Sequence, residues 1–395
     1  MPYDEFMATE SIDVNPSVLA WARTEAGLTR EDAAALAEVD LEALSSWETG
    51  QTAPTISHIR KLAIAYKRPF TVLLLPEAPA GIPLPTDFRT AGGAAPALSP
   101  ATHLVIRRAR RLQSLLAEVA DEIPSAWPAP RLVRGDLGAR ADLATDAQRT
   151  LLGVTATIQA SWSDVPEAIR GWRRALQESA GVLTLLESIP PSECRGMALW
   201  DGRVPAIIIS TAADEPRTSR VFTIAHELAH LTLNQDGVCL EREDDTSRGR
   251  TERWCNRFAG ALLVPGDVLT DLFSDGSLQG DPVAAVTRAA NRLKVSRDVL
   301  AIRLEDTGRV DKGFYQRIKP AFLVSETKTP GRSEVKIPAT TRVLSRVGAA
   351  PVRALSMALN DGLLDMRDVA DVLNVGADRF SDLNERAEQS LGRAR

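Results

Sequence analysis

The chain has 395 residues, a formal net charge of −5, 44% hydrophobic residues and 25% charged residues. At about 150 residues per domain this length predicts two to three domains, and the apolar-to-charged balance excludes a largely disordered chain. The acidic total excludes a protein that coats nucleic acid over its whole surface, so any DNA contact has to be local.

The first sixteen residues, MPYDEFMATESIDVNP, are acidic and lack the apolar stretch of a signal peptide. No apolar run approaches the ~20 residues that a membrane span needs. Cys194, Cys239 and Cys255 are odd in number and form no CxxC pair, which speaks against a disulfide framework and for a reducing compartment. The expected location is the cytoplasm, with no membrane partner.

Residues 15–75 carry helix, turn, helix and turn signals at close spacing. Thr29 with Asp32 predicts an N-cap opening a second helix. LEALSSWETG (41–50) predicts a third, with Trp47 packed inward and Gly50 ending it. The stretch resembles the XRE (phage-repressor-like) helix-turn-helix family, including the ending at Trp47, Glu48, Gly50 and Pro54. That resemblance implies an all-α bundle that reads DNA, and helix-turn-helix proteins often pair as homodimers, although no heptad seam is visible.

The third helix is poor in the Arg, Lys, Gln and Asn side chains that contact bases and phosphates. Ser45 and Ser46 are the DNA-contact candidates on it, and Arg30, at the start of the preceding helix, is the best phosphate candidate. Residues 15–75 hold six basic and seven acidic side chains, a weak electrostatic footprint. A docking or dimerisation module therefore stays open beside DNA binding. Residues 76–100, rich in Pro, Gly and Ala, read as a linker.

Residues 101–325 form the largest block. It begins with the helical stretch LVIRRARRLQSLLAEVADEI, whose basic run 106–111 reads as a solvated helix face. Strands are expected at GVLTLLES (181–188), with Gly181 just past a helix end, and in MALWDGRVPAIIIS (197–210), two apolar runs around a turn at Asp201-Gly202. A few strands among many helices make this block α+β. The run PAIIIS is also expected to pair with an extended substrate strand.

Only four histidines occur in the chain, and two fall in FTIAHELAHLTL (222–233). Residues four apart share a helix face, so His226 and His230 can offer imidazole nitrogens to one ion. Glu227, one residue on, is rotated off that axis and can take a proton from water as a general base. Phe222, Ala225, Ala229 and Leu233 supply apolar packing for the same helix.

A third ligand is expected at Glu252, in the first turn of a helix TERWCNRFAGALLVP (251–265), with Trp254, Phe258 and Leu262 as its apolar stripe. Glu241, Glu243, Asp244 and Asp245 are the competitors. Asn256 can orient a ligand or bond to backbone. A transition-state donor is not obvious. Tyr315 and the arginines are candidates, and His103 reads as structural.

RVFTIAHELAHLTL followed by ERWCNRFAGALLVP resembles the ImmA/IrrE family of metallopeptidases, and ANRLKVSRDVLAIRLEDTG (290–308) resembles that family's following segment. The resemblance implies a zincin-like fold and Zn2+ held by His226, His230 and Glu252, with Glu227 as base. It also implies a protein substrate, typically a helix-turn-helix repressor whose cleavage derepresses mobile-element or stress-response genes. Cys255 stands where the family usually has Ala and reads as a small buried residue, with a thiolate that gates the site or senses oxidation as the alternative.

After a polar break at 326–338, residues 339–395 return to short helical patterns around Asp361-Gly362. They resemble the C-terminal module of longer family members. The expected protein is thus multidomain and mainly α: an all-α helix-turn-helix bundle, a linker, a central α+β metallopeptidase domain (gluzincin-like) and a small helical module. The leading function is a zinc-dependent endopeptidase. The rival is a DNA-binding regulator or antitoxin-like protein that uses the peptidase fold for sensing or docking.

Overall fold

The computed structural model describes residues 10–79, 81, 98–212, 217–234, 237–238, 247–324 and 338–392. They divide into two compact units, one reaching Arg110 and the other containing Arg111 onward.

The first unit is all-helical. Helices α1 (Pro16–Glu25), α2 (Arg30–Ala37), α3 (Leu41–Glu48) and α4 (Ile56–Ala65) each begin where a polar residue halts extended backbone. Asn15, Thr29, Asp40 and Thr55 accept from the first-turn N–H groups that have no helical partner. The Thr29 cap and the end of α3 at Glu48 fall where the sequence put them. Leu19, Leu44, Trp47, Ile59, Leu62 and Tyr66 close the core.

Helix α5 (Pro100–Glu122) begins in this unit. There His103 packs against Gly27, and Arg107 donates to the carbonyls of Tyr66 and Lys67 at 3.3 and 2.6 Å. The basic run is therefore only partly a solvated face. Burial, with Arg68 and Arg108 nearby, pulls Arg107 down to about 10.

In the second unit α6 (Asp142–Leu152), α7 (Ala156–Ser161) and α8 (Val165–Ser179) precede a four-stranded mixed sheet. Gly181 follows α8 at φ +66, a conformation that glycine adopts without a Cβ penalty. The strands are β1 (Leu183–Glu187), β2 (Gly196–Leu199), β3 (Ala206–Ser210) and β4 (Gly237–Val238), in the order β1-β3-β2-β4.

β2 and β3 are antiparallel, joined by residues 200–205. Asp201 Oδ1 accepts there from the N–H groups of Arg203 and Val204. β1 runs parallel to β3. This corrects the expectation for PAIIIS. β3 has neighbours on both sides, so its backbone groups are already paired and no substrate strand can add to it.

Helix α9 (Arg217–Thr232) packs on β2 and β3 and against α10 (Ser247–Leu263). Helix α10 is longer at its start than the sequence suggested, so Glu252 lies in its second turn. It stops before Pro265, as expected of a residue without an N–H. Trp254, Phe258 and Leu262 are 6%, 0% and 1% exposed, the buried stripe of α10.

The shell is completed by α11 (Gly266–Leu272), α12 (Ser277–Gly280), α13 (Pro282–Leu293), α14 (Arg297–Asp306) and α15 (Phe314–Val324). The last helices, α16 (Ala339–Val347), α17 (Ala349–Asn360), α18 (Met366–Leu373) and α19 (Phe380–Gly392), belong to the same compact unit. Helix α16 rests on β1, and its terminal carbonyls take hydrogen bonds from Arg173 and Gln177 of α8. Among the described residues no helix is long and apolar enough to cross a membrane.

Candidate metal centre

The site is made by one face each of α9 and α10. From Val221 to Thr232 every residue of α9 except Phe222 is buried. The helix therefore carries its polar groups into the interior, where each needs a partner. His226 and His230 stand one turn apart with their Nε2 atoms 3.2 Å from each other. Opposite them, Glu252 of α10 brings Oε2 to 3.2 Å from His226 Nε2 and Oε1 to 3.6 Å from His230 Nε2.

Asn256, one turn after Glu252, accepts at Oδ1 from His226 Nδ1, at 2.9 Å. Because an amide oxygen only accepts, Nδ1 carries the proton and the Nε2 lone pair is left pointing into the site. Of the two roles the sequence left open for Asn256, it is found at the histidine. Burial opposes a charge on His226. The Glu252 hydrogen bond and the charges of Glu227 and Glu252 outweigh it, and the imidazole pKa is raised above its ordinary value. An environment that favours a proton on this ring is negative, and it favours a divalent cation for the same reason.

Glu227 is fully buried and its side chain lies against β2. A Cβ added to Gly196 would fall 2.8 Å from Glu227 Oε1, 3.0 Å from its Cγ and 2.6 Å from Thr223 Cγ2. The absence of a side chain at Gly196 is thus what makes room for the carboxylate. Sequence reasoning passed over Gly196, because a glycine at the head of a strand is the same letter whether it faces solvent or a buried carboxylate.

Cys255 is buried, as its small-residue reading expects, and it also adjoins the histidines. It is fully buried on the same α10 face as Glu252, and its sulfur belongs to a group with the imidazole nitrogens of His226 and His230 in which all ligand atoms lie within 4.8 Å of one another. Two imidazoles with converging Nε2 atoms, an adjoining carboxylate and a thiol form a donor set suited to a first-row divalent metal. The competitors Glu241, Glu243, Asp244 and Asp245, and Cys239, lie outside the described residues.

Tyr315 is not brought to the histidines. Its hydroxyl donates to Asp298 Oδ1 at 2.9 Å, between α15 and α14. In the first unit, Arg30 directs its Nε to Glu48 Oε2 at 2.8 Å while remaining 44% exposed along its side chain. Ser45 and Ser46 are half-buried on α3, and the Ser46 hydroxyl is hydrogen-bonded to that of Thr52.

Comparison with known families bears on both units. Residues 177–305, from the end of α8 into α14, match the family model described as the IrrE N-terminal-like domain, a peptidase family. Residues 19–73 match the helix-turn-helix model. The chain joins a metallopeptidase-type domain of the IrrE kind to an XRE-type helix-turn-helix domain. This is the fusion that the two motif resemblances implied, and the mainly α, multidomain architecture agrees with it. Comparison with curated proteins returns no match.

Proposed function

We propose that the protein is a zinc-dependent endopeptidase of the HExxH, glutamate-liganded type that cuts a partner protein, with a helix-turn-helix repressor as the leading substrate class. The observation that carries this reading is the convergence of His226, His230 and Glu252 beside a buried Glu227. His226 and His230 would hold the ion through Nε2 and Glu252 through its carboxylate.

When bound, zinc supplies Lewis acidity that polarises a peptide carbonyl and acidifies a water. The protein's own residues do the rest. Asn256 holds the His226 ring in one orientation and one tautomer. Glu227 accepts the proton of the attacking water at a carboxylate oxygen and delivers it to the leaving amine nitrogen. The apolar stripe of α10 and the close approach of β2 bury Glu227 and the two histidines, which strengthens their interactions.

A local DNA contact by the helix-turn-helix unit would draw on the outward part of Arg30. Ser45 and Ser46 add neutral hydroxyls rather than charge. The second reading, a regulator that binds DNA or a partner without cutting, is favoured by the helix-turn-helix match. It leaves unexplained why a buried carboxylate is kept beside the histidines.

Two measurements decide between them. Elemental analysis should give about one zinc per chain in the wild type and little in Glu252→Ala. Loss of a co-produced helix-turn-helix repressor, followed by mass spectrometry of its fragments, should require Glu227 and stop in Glu227→Gln. Full metal content with no Glu227-dependent cleavage would hand the protein to the regulator reading.

A further inference from the structure

Cys255 is the feature of the site that this proteolytic reading does not use. It sits three residues after Glu252 and one before Asn256, so α10 presents a carboxylate, a thiol and an amide on adjoining positions toward the two histidines. The carboxylate is at the wet side, its side chain 20% exposed, and the thiol at the dry side, 0% exposed. The sulfur and the imidazole nitrogens lie within 4.8 Å of one another. Around a zinc ion, with Zn–S about 2.3 Å and Zn–N about 2.0–2.1 Å, tetrahedrally arranged donors are roughly 3.3–3.6 Å apart. For the sulfur and the two imidazoles a closure of about 1 Å therefore suffices, and Glu252 reaches both imidazoles by its own contacts.

We propose that Cys255 is a fourth metal donor, so that the resting site is a closed set of His226, His230, Glu252 and Cys255. This rests on the metal-site reading above and adds the state in which the ion is stored. Metal sites with four protein donors are structural, whereas catalytic ones keep a position for water. With the thiolate bound, no such position exists and the peptidase is latent. On binding, the Cys255 S–H bond gives up its proton to solvent and a sulfur–metal bond forms, with no change in oxidation state. Displacement of the sulfur, by a substrate carbonyl or by water, reverses this step and opens the site.

The probe is cobalt(II) alone, added to the metal-free full-length chain, because its spectrum reports geometry and sulfur ligation separately. Visible d–d bands register a tetrahedral ion, and a near-ultraviolet thiolate-to-cobalt charge-transfer band registers a bound sulfur. The expected result is both features in the wild type, with the charge-transfer band lost in Cys255→Ala while the d–d bands persist. Cys194→Ser and Cys239→Ser should keep both.

Visible bands without charge transfer in the wild type would overturn the proposal and leave the metal centre standing. So would charge transfer that survives in Cys255→Ala and vanishes in Cys239→Ser. Absence of both features in a folded wild type would overturn the metal centre itself. Circular dichroism of Cys255→Ala separates loss of a ligand from loss of fold, and since alanine fits a buried small-residue position the fold should be kept.

Discussion

Glu48 in one unit and Glu252 in the other each face two nitrogen-bearing side chains, and the two are treated in opposite ways. Glu48 of the helix-turn-helix unit has a fully buried side chain gripped by two guanidinium groups, Arg23 Nε at 2.7 Å and Arg30 Nε at 2.8 Å. Burial by itself would raise its pKa. The hydrogen bonds and charges of both arginines outweigh that, and the carboxyl is held below the ordinary carboxylate range. Glu252 of the other unit instead faces two imidazoles, which carry a charge only when protonated. A carboxylate locked by permanent cations is a structural clamp. One shared by two neutral-capable rings has no permanent cation beside it and offers its oxygens together with their nitrogens as metal donors. The same residue type thus sits between permanent cations in one unit and between titratable rings in the other.

The contrast can be broken most sharply at Glu227. Glu227→Gln should lower proteolysis by about 10²–10⁴-fold, the ordinary worth of a general base, with metal content unchanged by elemental analysis. Loss of metal together with activity would mean that Glu227 holds the centre together rather than moving protons.

The clamp comes next. Glu48→Ala leaves two guanidinium groups around a hole and should destabilise the first unit by about 3 kcal/mol. Hydrogen exchange over residues 16–74 would register this while zinc per chain stays constant. The pH sign follows from the lowered pKa. The stability that Glu48 contributes is fully present above its unfolded-state value and disappears as pH falls through the folded-state value. The wild-type unit should therefore lose protection below pH ~4, and Glu48→Gln should flatten that dependence. A pH profile unchanged by the substitution would show that Glu48 is not the titrating clamp.

Asn256→Ala is expected to be milder at the metal, weakening affinity by about 10–100-fold in a chelator competition without removing a donor. Unchanged affinity would mean that packing alone orients His226. The smallest change is Gly196→Ala. The added methyl presses on Glu227 and Thr223, so the strand or the helix must shift, at about 1–3 kcal/mol of overpacking. Activity should fall through misplacement of the base, with metal still bound. Wild-type turnover in this variant would remove Gly196 from the site.

Much of this was written in the chain itself. The helix caps at Thr29 and Asp40, the stop before Pro265 and the glycine after α8 follow from local backbone chemistry, which acts over a few residues and needs no fold to be read. The His226–His230 pair was equally legible, because i, i+4 spacing on a helix is a local geometric fact. Both units could be assigned to their families from short motifs whose spacing lies within one or two neighbouring helices.

What tertiary structure decided is everything that joins residues distant in sequence. Whether AIIIS is an edge or an interior strand depends on β1, more than twenty residues upstream, and the pairing fell against the substrate-strand expectation. Glu252 meets the histidines, Asn256 the ring of His226, and Gly196 the carboxylate of Glu227 only after α10 and β2 pack on α9. Arg30 is drawn to Glu48, eighteen residues away, rather than left wholly to solvent. Cys255 reads as a small apolar residue from its neighbours in sequence and becomes a donor only beside two imidazoles. The physical reason is common to all of these. Propensity and spacing act along the chain, whereas charge, coordination and steric exclusion act through space and are settled by which surfaces the hydrophobic core brings together.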